Sequence, residues 1–284
     1  MSTVLAYATE KQAYFNLFME SCQRFGIDPV ILGWDERWEG TCKKLISICD
    51  YIKDRPADEM VLSVDPFDVI FLAGMEEIED KFRKLDTPFL CGALKLRSFN
   101  ARIYKYEFNR TSLPAPENPG GYNFLNAGTW ISTAGYAFKL LCKMTEFDQL
   151  KACDIDQEVF TAQYVTNRTV LDIDWKCQLF QNILFSNFVS RRPNLADIQF
   201  SGGRIINRTT DSTPSLLHAS GNVVMRNIAR SLGYAAHLAI PEKDLKNYFR
   251  KASFHLGKIL SFTLEQWFKP YSPSSVHVRR ARSS

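Results

Sequence analysis

Two hydrophobic periods alternate along the first ninety residues. Thr3–Thr9 is a short apolar run rich in strand formers. Gln12–Phe25 then carries Phe15, Phe18, Met19, Cys22 and Phe25 at helical spacing. Pro29–Trp34 reads as a second strand, and Lys43–Ile52 as a second helix with Leu45, Ile48, Cys49 and Ile52 on one stripe. Met60–Val64 is almost wholly apolar, which predicts a strand buried on both faces. Glu76–Lys84 is helical and Pro88–Ala93 a fourth strand. A βαβαβαβ order predicts an α/β fold, a mostly parallel sheet covered by helices.

Beyond this the pattern loosens. Asn109–Tyr122 holds three prolines and two glycines and reads as a surface loop. Tyr122–Ser132 follows as a strand, with helices near Ala134–Met144 and Ile155–Tyr164 and a short strand near Thr169–Leu171. Gln199–Asn207 and Ser215–His218 are further strand pieces. After Pro241 a helix is predicted from Glu242 to about Trp267, with Leu245, Tyr248, Phe249, Ala252, Leu256, Ile259, Leu260 and Thr263 on its stripe. The expected division is an α/β domain over 1–230 and a helical, basic extension over 231–284.

Composition narrows the classes. At 284 residues, 45% hydrophobic and 23% charged, the chain has globular composition and room for one or two domains. No run reaches the ~18 apolar residues of a membrane span, since Asp65 and Asp68 break the most hydrophobic stretch, Met60–Met75. The first residues show no basic n-region or long apolar h-region, so a cytoplasmic location is expected. Seven cysteines without a CxxC pair fit reduced thiols and speak against a zinc knuckle. The Asn-Arg-Thr sequons at Asn109, Asn167 and Asn207 matter only in a secreted protein.

The net charge of +4 is unevenly spread. From Lys243 onward nine Lys/Arg face two acidic residues, a net of +7, and residues 1–242 carry a net of −3. An acidic body with a basic tail is not the footprint of a nucleic-acid-binding domain. It suits a divalent cation site in the body. The apolar stripe of the tail helix needs a cover, either the α/β domain or a second copy in a dimer. The rival cover is an anionic membrane, with peripheral attachment through the basic side chains.

The sharpest chemical feature is Val64-Asp65-Pro66-Phe67-Asp68-Val69. In open parallel sheets ligands sit at the carboxyl ends of strands, and Met60–Val64 delivers Asp65 to such an end. Asp65 and Asp68, on a turn held by Pro66, can converge on a hard cation such as Mn²⁺ or Mg²⁺. The same residues could instead merely cap and turn the chain. His218 ends an apolar stretch before the small residues Ala219-Ser220-Gly221, and its imidazole can complete an Asp/Asp/His ligand set; a histidine simply satisfied in a core is the alternative. Asn126-Ala127-Gly128 could offer an amide and bare backbone to a sugar hydroxyl. Asp154 and Asp156 open a helix, where a capping role and a catalytic one fit equally.

Read together, Ala6-Tyr7-Ala8-Thr9-Glu10, Trp38, Lys44, Val64–Ile70, Phe124–Gly128, Asp156-Gln157, Leu179–Asn182 and Leu217-His218 follow one family in order and spacing. They resemble the glycosyltransferase domain of the procollagen lysyl hydroxylases, and more loosely other collagen-type GT-A glycosyltransferases. The resemblance covers roughly residues 3–226, about four-fifths of the chain. It implies a GT-A fold, a Rossmann-like mixed and mostly parallel sheet, with Asp65, Asp68 and His218 on Mn²⁺. It places Thr9 and Phe67 near a uridine, Lys44 on a diphosphate, and Trp38 in a loop covering the nucleotide sugar. Asn126, Asp156 and Gln157 fall on the sugar and acceptor side, and Gly221 and Arg226 in the turn after the histidine.

Three departures stand out. The family's Tyr is Phe67 here, so ring stacking survives but a hydroxyl contact does not. The aspartate run before Gln157 is reduced to Asp154-Ile155-Asp156. The His-Gly-Asn-Gly turn becomes His218-Ala219-Ser220-Gly221-Asn222, and its following lysine gives way to a stretch ending in Arg226. No hydroxylase domain follows in this sequence, so oxygenase chemistry is not expected and a collagen acceptor is not implied. The expected activity is metal-dependent transfer of a hexose or pentose from a UDP-sugar to a hydroxyl of a glycan, protein or lipid-linked acceptor. Asp156 or Asp154 is the expected catalytic carboxylate. The rival is a nucleotide-sugar or carbohydrate-binding module that has lost catalysis; a phosphoryl-transfer enzyme ranks last, since no Gly-x-x-x-x-Gly-Lys loop is present.

Overall fold

Near-continuous apolar strands need cover on both faces, and the arrangement of helices supplies it. The computed structural model describes residues 2–95, 121–146, 156–167, 169–186, 190–221 and 223–235. The main sheet contains β1 (Ser2–Tyr7), β2 (Val30–Leu32), β3 (Met60–Val64), β5 (Phe89–Leu94), β6 (Phe124–Thr133) and β7 (Asp172–Ile173), in the order β2-β1-β3-β6-β5-β7. β1 is parallel to β2 and β3, β7 is parallel to β5, and β6 runs antiparallel to both β3 and β5. One strand is thus reversed in an otherwise parallel sheet. The fold is mixed α/β with helices on both faces, as the sequence pattern predicts.

Alternate side chains of the strands feed two separate cores, as the period of two requires. On one face Leu5, Val61 and Trp130 pack with Leu45, Ile48 and Ile52 of α2 (Thr41–Ile52), Ala137 and Leu141 of α4 (Ala134–Glu146) and Phe160 of α5 (Asp156–Thr166). On the other, Val4, Ala6, Leu62 and Val64 pack with Phe18 and Cys22 of α1 (Phe15–Arg24) and Ile78 and Phe82 of α3 (Met75–Lys84). Every residue of β3 is buried. Each large apolar side chain fully removed from water contributes roughly 1.5–3 kcal/mol, so this double cover is what fixes the strand ends in space.

A second, three-stranded sheet, β4-β11-β8, was not legible as such. It joins β4 (Val69–Phe71), β11 (Leu216–His218) and β8 (Phe180–Asn182), each three residues long and too short to show a period. β8 is delivered by Asp174, whose buried carboxylate accepts hydrogen bonds from the N–H groups of Gln178, Leu179 and Phe180. Burial pushes the Asp174 carboxyl up and those N–H groups partly hold it down. Beneath this sheet Ile70, Leu72, Ile183 and Leu217 pack with Met225, Ile228 and Leu232 around α6 (Arg226–Ser231). The segment Gln199–Asn207 is a hairpin of β9 (Ile198–Ser201) and β10 (Arg204–Asn207), turned at Gly202-Gly203 with φ of 56° and 75°.

One expectation is shifted. The strand near Thr169–Leu171 begins instead at Asp172, because Asp172 and Ile173 are the residues in register with Leu90 and Cys91. The described residues belong to a compact unit spanning Met1–Ile240, in which Leu232 and Tyr234 are buried; a second unit, Pro241–Ser284, lies outside the described residues. The helix expected over Glu242–Trp267 and most of the loop Asn109–Tyr122 are outside them as well. Among the described residues no helix is long and apolar enough to cross a membrane.

Candidate functional site

The site grows from the carboxyl end of β3. Asp65 follows Val64 directly, and its N–H donates to the carbonyl of Gly128 at 2.9 Å. Gly128 is there because β6 bulges: Cys91 pairs with Trp130 but Gly92 pairs with Asn126, leaving Ala127, Gly128 and Thr129 extra on one strand. Such bulges re-aim backbone out of the ladder. Asp68 precedes β4, which pairs antiparallel with β11 so that Val69 lies opposite His218. The carbonyl of Asp68 accepts from the N–H of Ala219 at 2.8 Å, closing the turn onto the histidine.

Asp65, Asp68 and His218 each offer one ligand atom, and these atoms lie within 4.8 Å of one another. Two carboxylate oxygens and an imidazole nitrogen suit a divalent cation such as Mn²⁺ or Mg²⁺. Gly128 frames the same space: a Cβ there would stand 2.3 Å from His218 Cε1 and 2.9 Å from Asp65 Oδ2. Among the described residues the buried Asp68 Oδ1 has no hydrogen-bond partner, although it approaches His218 Nε2 to 3.1 Å. A cation between them would satisfy both atoms, so the residues fit the metal. Burial opposes protonation of His218, but Asp68 and then Asp65 outweigh it, and its pKa is raised.

A second charged group abuts the first. Lys44, on α2, lies 2.8 Å from Asp65 Oδ1 and 2.6 Å from Asp156 Oδ2. Its side chain is only 6% exposed. Burial works against the ammonium charge, and the two carboxylates more than restore it. Lys44 therefore faces one carboxylate expected on the metal and one expected on the sugar and acceptor side. At the start of its own helix Asp156 also accepts from the N–H of Gln157 at 2.9 Å and presents its N–H to Thr41 Oγ1 at 2.7 Å.

Gln157 clamps α5 to β6, accepting from the N–H of Ala127 and donating to the carbonyl of Leu125, both at 2.8 Å. It thereby supports the bulge. Asn126 accepts from the N–H of Gly128 at 3.0 Å and donates to Ser220 Oγ at 3.2 Å. Ser220 in turn lies 3.2 Å from His218 Nδ1.

An aromatic wall stands over the ends of β1 and β2. The Trp38 ring, 50% exposed, lies 5.9 Å from that of Tyr7. Phe67 packs on Phe15, which also meets the exposed Trp34. Thr9 is buried and its carbonyl accepts from the N–H of Asp35. Gly221 is exposed with φ of 79°, and its carbonyl accepts from the Arg191 guanidinium at 3.2 Å. Arg226 is exposed at the first position of α6, beside Tyr14. Asp154 lies outside the described residues.

The sequence names Asp65, Asp68 and His218 for a metal, Lys44 for a diphosphate and Asp156 for the sugar side; the structure brings the five together. The sequence pattern assigns no role to Asn182, whose amide oxygen lies 2.8 Å from His218 Nδ1. Nor does it assign one to Trp34 or Thr41. Asn182 sat inside the quoted motif Leu179–Asn182, but only the pairing of β8 with β11 reveals its contact.

A model of the PLOD GT domain family matches residues 1–239. The uncharacterized protein R699 of Acanthamoeba polyphaga mimivirus is 26% identical over 216 residues, covering 72% of this chain and 42% of that protein. Procollagen-lysine,2-oxoglutarate 5-dioxygenase 1 of Gallus gallus is 26% identical over 235 residues, covering 77% of this chain and 30% of that protein. The chain thus spans less than half the length of either relative. Among solved structures, mouse xyloside xylosyltransferase 1 in its apo form aligns with a TM-score of 0.42 and 11% identity, over 66% of this chain and 68% of that one. With the family model spanning both sheets and the Asp65–Asp68–His218 cluster, the chain belongs to the PLOD GT domain family.

Proposed function

We propose that the chain is a metal-dependent glycosyltransferase that moves a hexose or pentose from a UDP-sugar to an acceptor hydroxyl. The observation that carries this reading is the convergence of Asp65, Asp68 and His218 at the carboxyl end of a parallel strand, around a glycine that leaves the space open. Asp65, Asp68 and His218 would hold Mn²⁺ or Mg²⁺, which would supply charge neutralisation for a diphosphate leaving group. The exposed Trp38 and the ring of Phe67 offer apolar faces to the base. Lys44 fixes the positions of Asp65 and Asp156 relative to one another. Asp156 is the carboxylate assigned to the sugar, as base or as nucleophile. The acceptor is a hydroxyl of a glycan, a protein or a lipid-linked sugar.

The test is release of free UDP from UDP-glucose, UDP-galactose or UDP-xylose with Mn²⁺ present. Turnover in the wild type and its loss in D65A, with folding intact, is the expected result. Unchanged turnover in D65A at saturating metal removes the site assignment.

One observation favours a second reading, a binding module without catalysis. Asp156 is already ion-paired with Lys44, in a chain whose aspartate run is reduced. Tight, metal-dependent UDP binding with no sugar released to any acceptor or to water would select that reading.

A further inference from the structure

β8 and β11 are parallel neighbours in which Asn182 lies in register with His218. The register is secured on the far side by the Ile183 N–H, which donates to the carbonyl of His218 at 2.8 Å. The two side chains therefore share one face of the small sheet, and a one-residue slip would exchange Asn182 for a neighbour facing the opposite way. Asn182 Oδ1 stands 2.8 Å from His218 Nδ1, with both residues buried.

An amide oxygen can only accept. Facing Nδ1, it demands a proton there, and neutral imidazole then keeps its lone pair on Nε2. Nε2 is the nitrogen turned toward Asp68, at 3.1 Å from Oδ1. The opposite amide orientation would present N–H donors to Nδ1, shift the proton to Nε2 and remove the lone pair a metal needs. Ser220 Oγ, 3.4 Å from Asn182 Oδ1 and 3.2 Å from His218 Nδ1, can donate to the same amide oxygen, which agrees with that orientation. Room for the amide comes from the neighbouring sheet: a Cβ on Gly92 would lie 2.6 Å from Asn182 Nδ2.

We propose that Asn182 is the positioning residue of the metal-binding histidine, its amide oxygen holding the Nδ1 proton of His218 and so aiming the Nε2 lone pair at the point shared by Asp65 and Asp68. The inference rests on the metal reading above and adds the residue that orients one of its ligands. Groups that orient a ligating histidine typically account for 10–100-fold in metal affinity.

The experiment is calorimetric titration of the full chain with Mn²⁺, without sugar donor, for the wild type, N182L and N182D, each checked by its circular dichroism spectrum. N182L, matched in size but without an acceptor, is expected to bind 10–100-fold more weakly. N182D keeps an acceptor against Nδ1 and is expected to bind as tightly as wild type or more tightly. Equal affinity for folded N182L and wild type overturns the inference. So does an N182D affinity as poor as that of N182L, and this comparison stands if N182L fails to fold: N182D binding far more weakly than wild type then decides against it. A wild type that takes up no Mn²⁺ removes the metal reading itself, a result distinct from either of these.

Discussion

Lys44 Nζ lies 2.6 Å from Asp156 Oδ2, and this contact ties the start of α5 to α2 beside the Asp65–Asp68–His218 cluster. The same ammonium reaches Asp65 Oδ1 at 2.8 Å. Lys44 and Asp156 are 6% and 9% exposed, whereas Asp65 is 34% exposed. Removing the cation leaves one deeply buried carboxylate without its partner, which in buried pairs costs about 3–5 kcal/mol. K44M is expected near the lower end, about 3 kcal/mol, because Asp65 retains access to solvent. K44M/D156L should recover much of that loss, since it removes the orphaned charge as well. Urea denaturation of the two variants checks both statements, and an unchanged K44M midpoint would show that the contact is idle.

Gly128 should tolerate no side chain while His218 is present. A Cβ there meets His218 Cε1 at 2.3 Å and Asp65 Oδ2 at 2.9 Å. Overpacking of this kind costs about 1–3 kcal/mol. G128A is expected to lower stability by that amount and to weaken Mn²⁺ binding. In an H218A background the stability cost of G128A should shrink, because the nearest clashing atom is gone. Equal costs in the two backgrounds would refute the close approach.

Glu77 gives the acid side of the stability profile a defined slope. Burial alone would raise its carboxyl, but hydrogen bonds from Arg204, Lys81 and Ser215 outweigh it and hold the pKa down to about 2, against an ordinary 4.5. Arg204 binds both carboxylate oxygens, at 3.0 and 2.7 Å. The folded value lies below the ordinary one, so the ionised group favours the native state. That contribution is complete above about 4.5 and is lost as the pH falls toward 2. E77Q should therefore flatten the dependence of stability on pH across this window and leave it unchanged above. A wild-type slope surviving intact in E77Q would assign it to other carboxylates.

Trp38 should matter to the donor more than to the fold. Its ring is half exposed and contacts Tyr7 at a centroid distance of 5.9 Å. An aromatic pair of this kind is worth about 0.5–1.5 kcal/mol. W38A is expected to lower stability by no more than about 1 kcal/mol and to raise the KM for a UDP-sugar several-fold. A KM that stays put, with stability reduced, would make Trp38 a packing residue only.

Much of the architecture was present in the order of residues. Apolar runs at a period of two and stripes at a period of 3.6 are local properties, so the helices and, apart from β4, the strands up to Leu94 and the buried nature of β3 follow from them. Asp65 and Asp68 are legible as a pair because they stand three positions apart and a proline turns the chain between them. His218 could be named because an apolar stretch ends on it. What the sequence could not contain is contact between segments far apart in the chain. Three-residue strands carry no readable period, so the sheet that sets Asn182 beside His218 exists only through pairing across 36 positions. The bulge at Ala127–Thr129 is a register mismatch between two strands and belongs to neither alone. The 2.6 Å contact of Lys44 with Asp156 joins two helix starts that only packing against a common sheet brings together. Local period determined the elements; burial and pairing between distant segments decided the site.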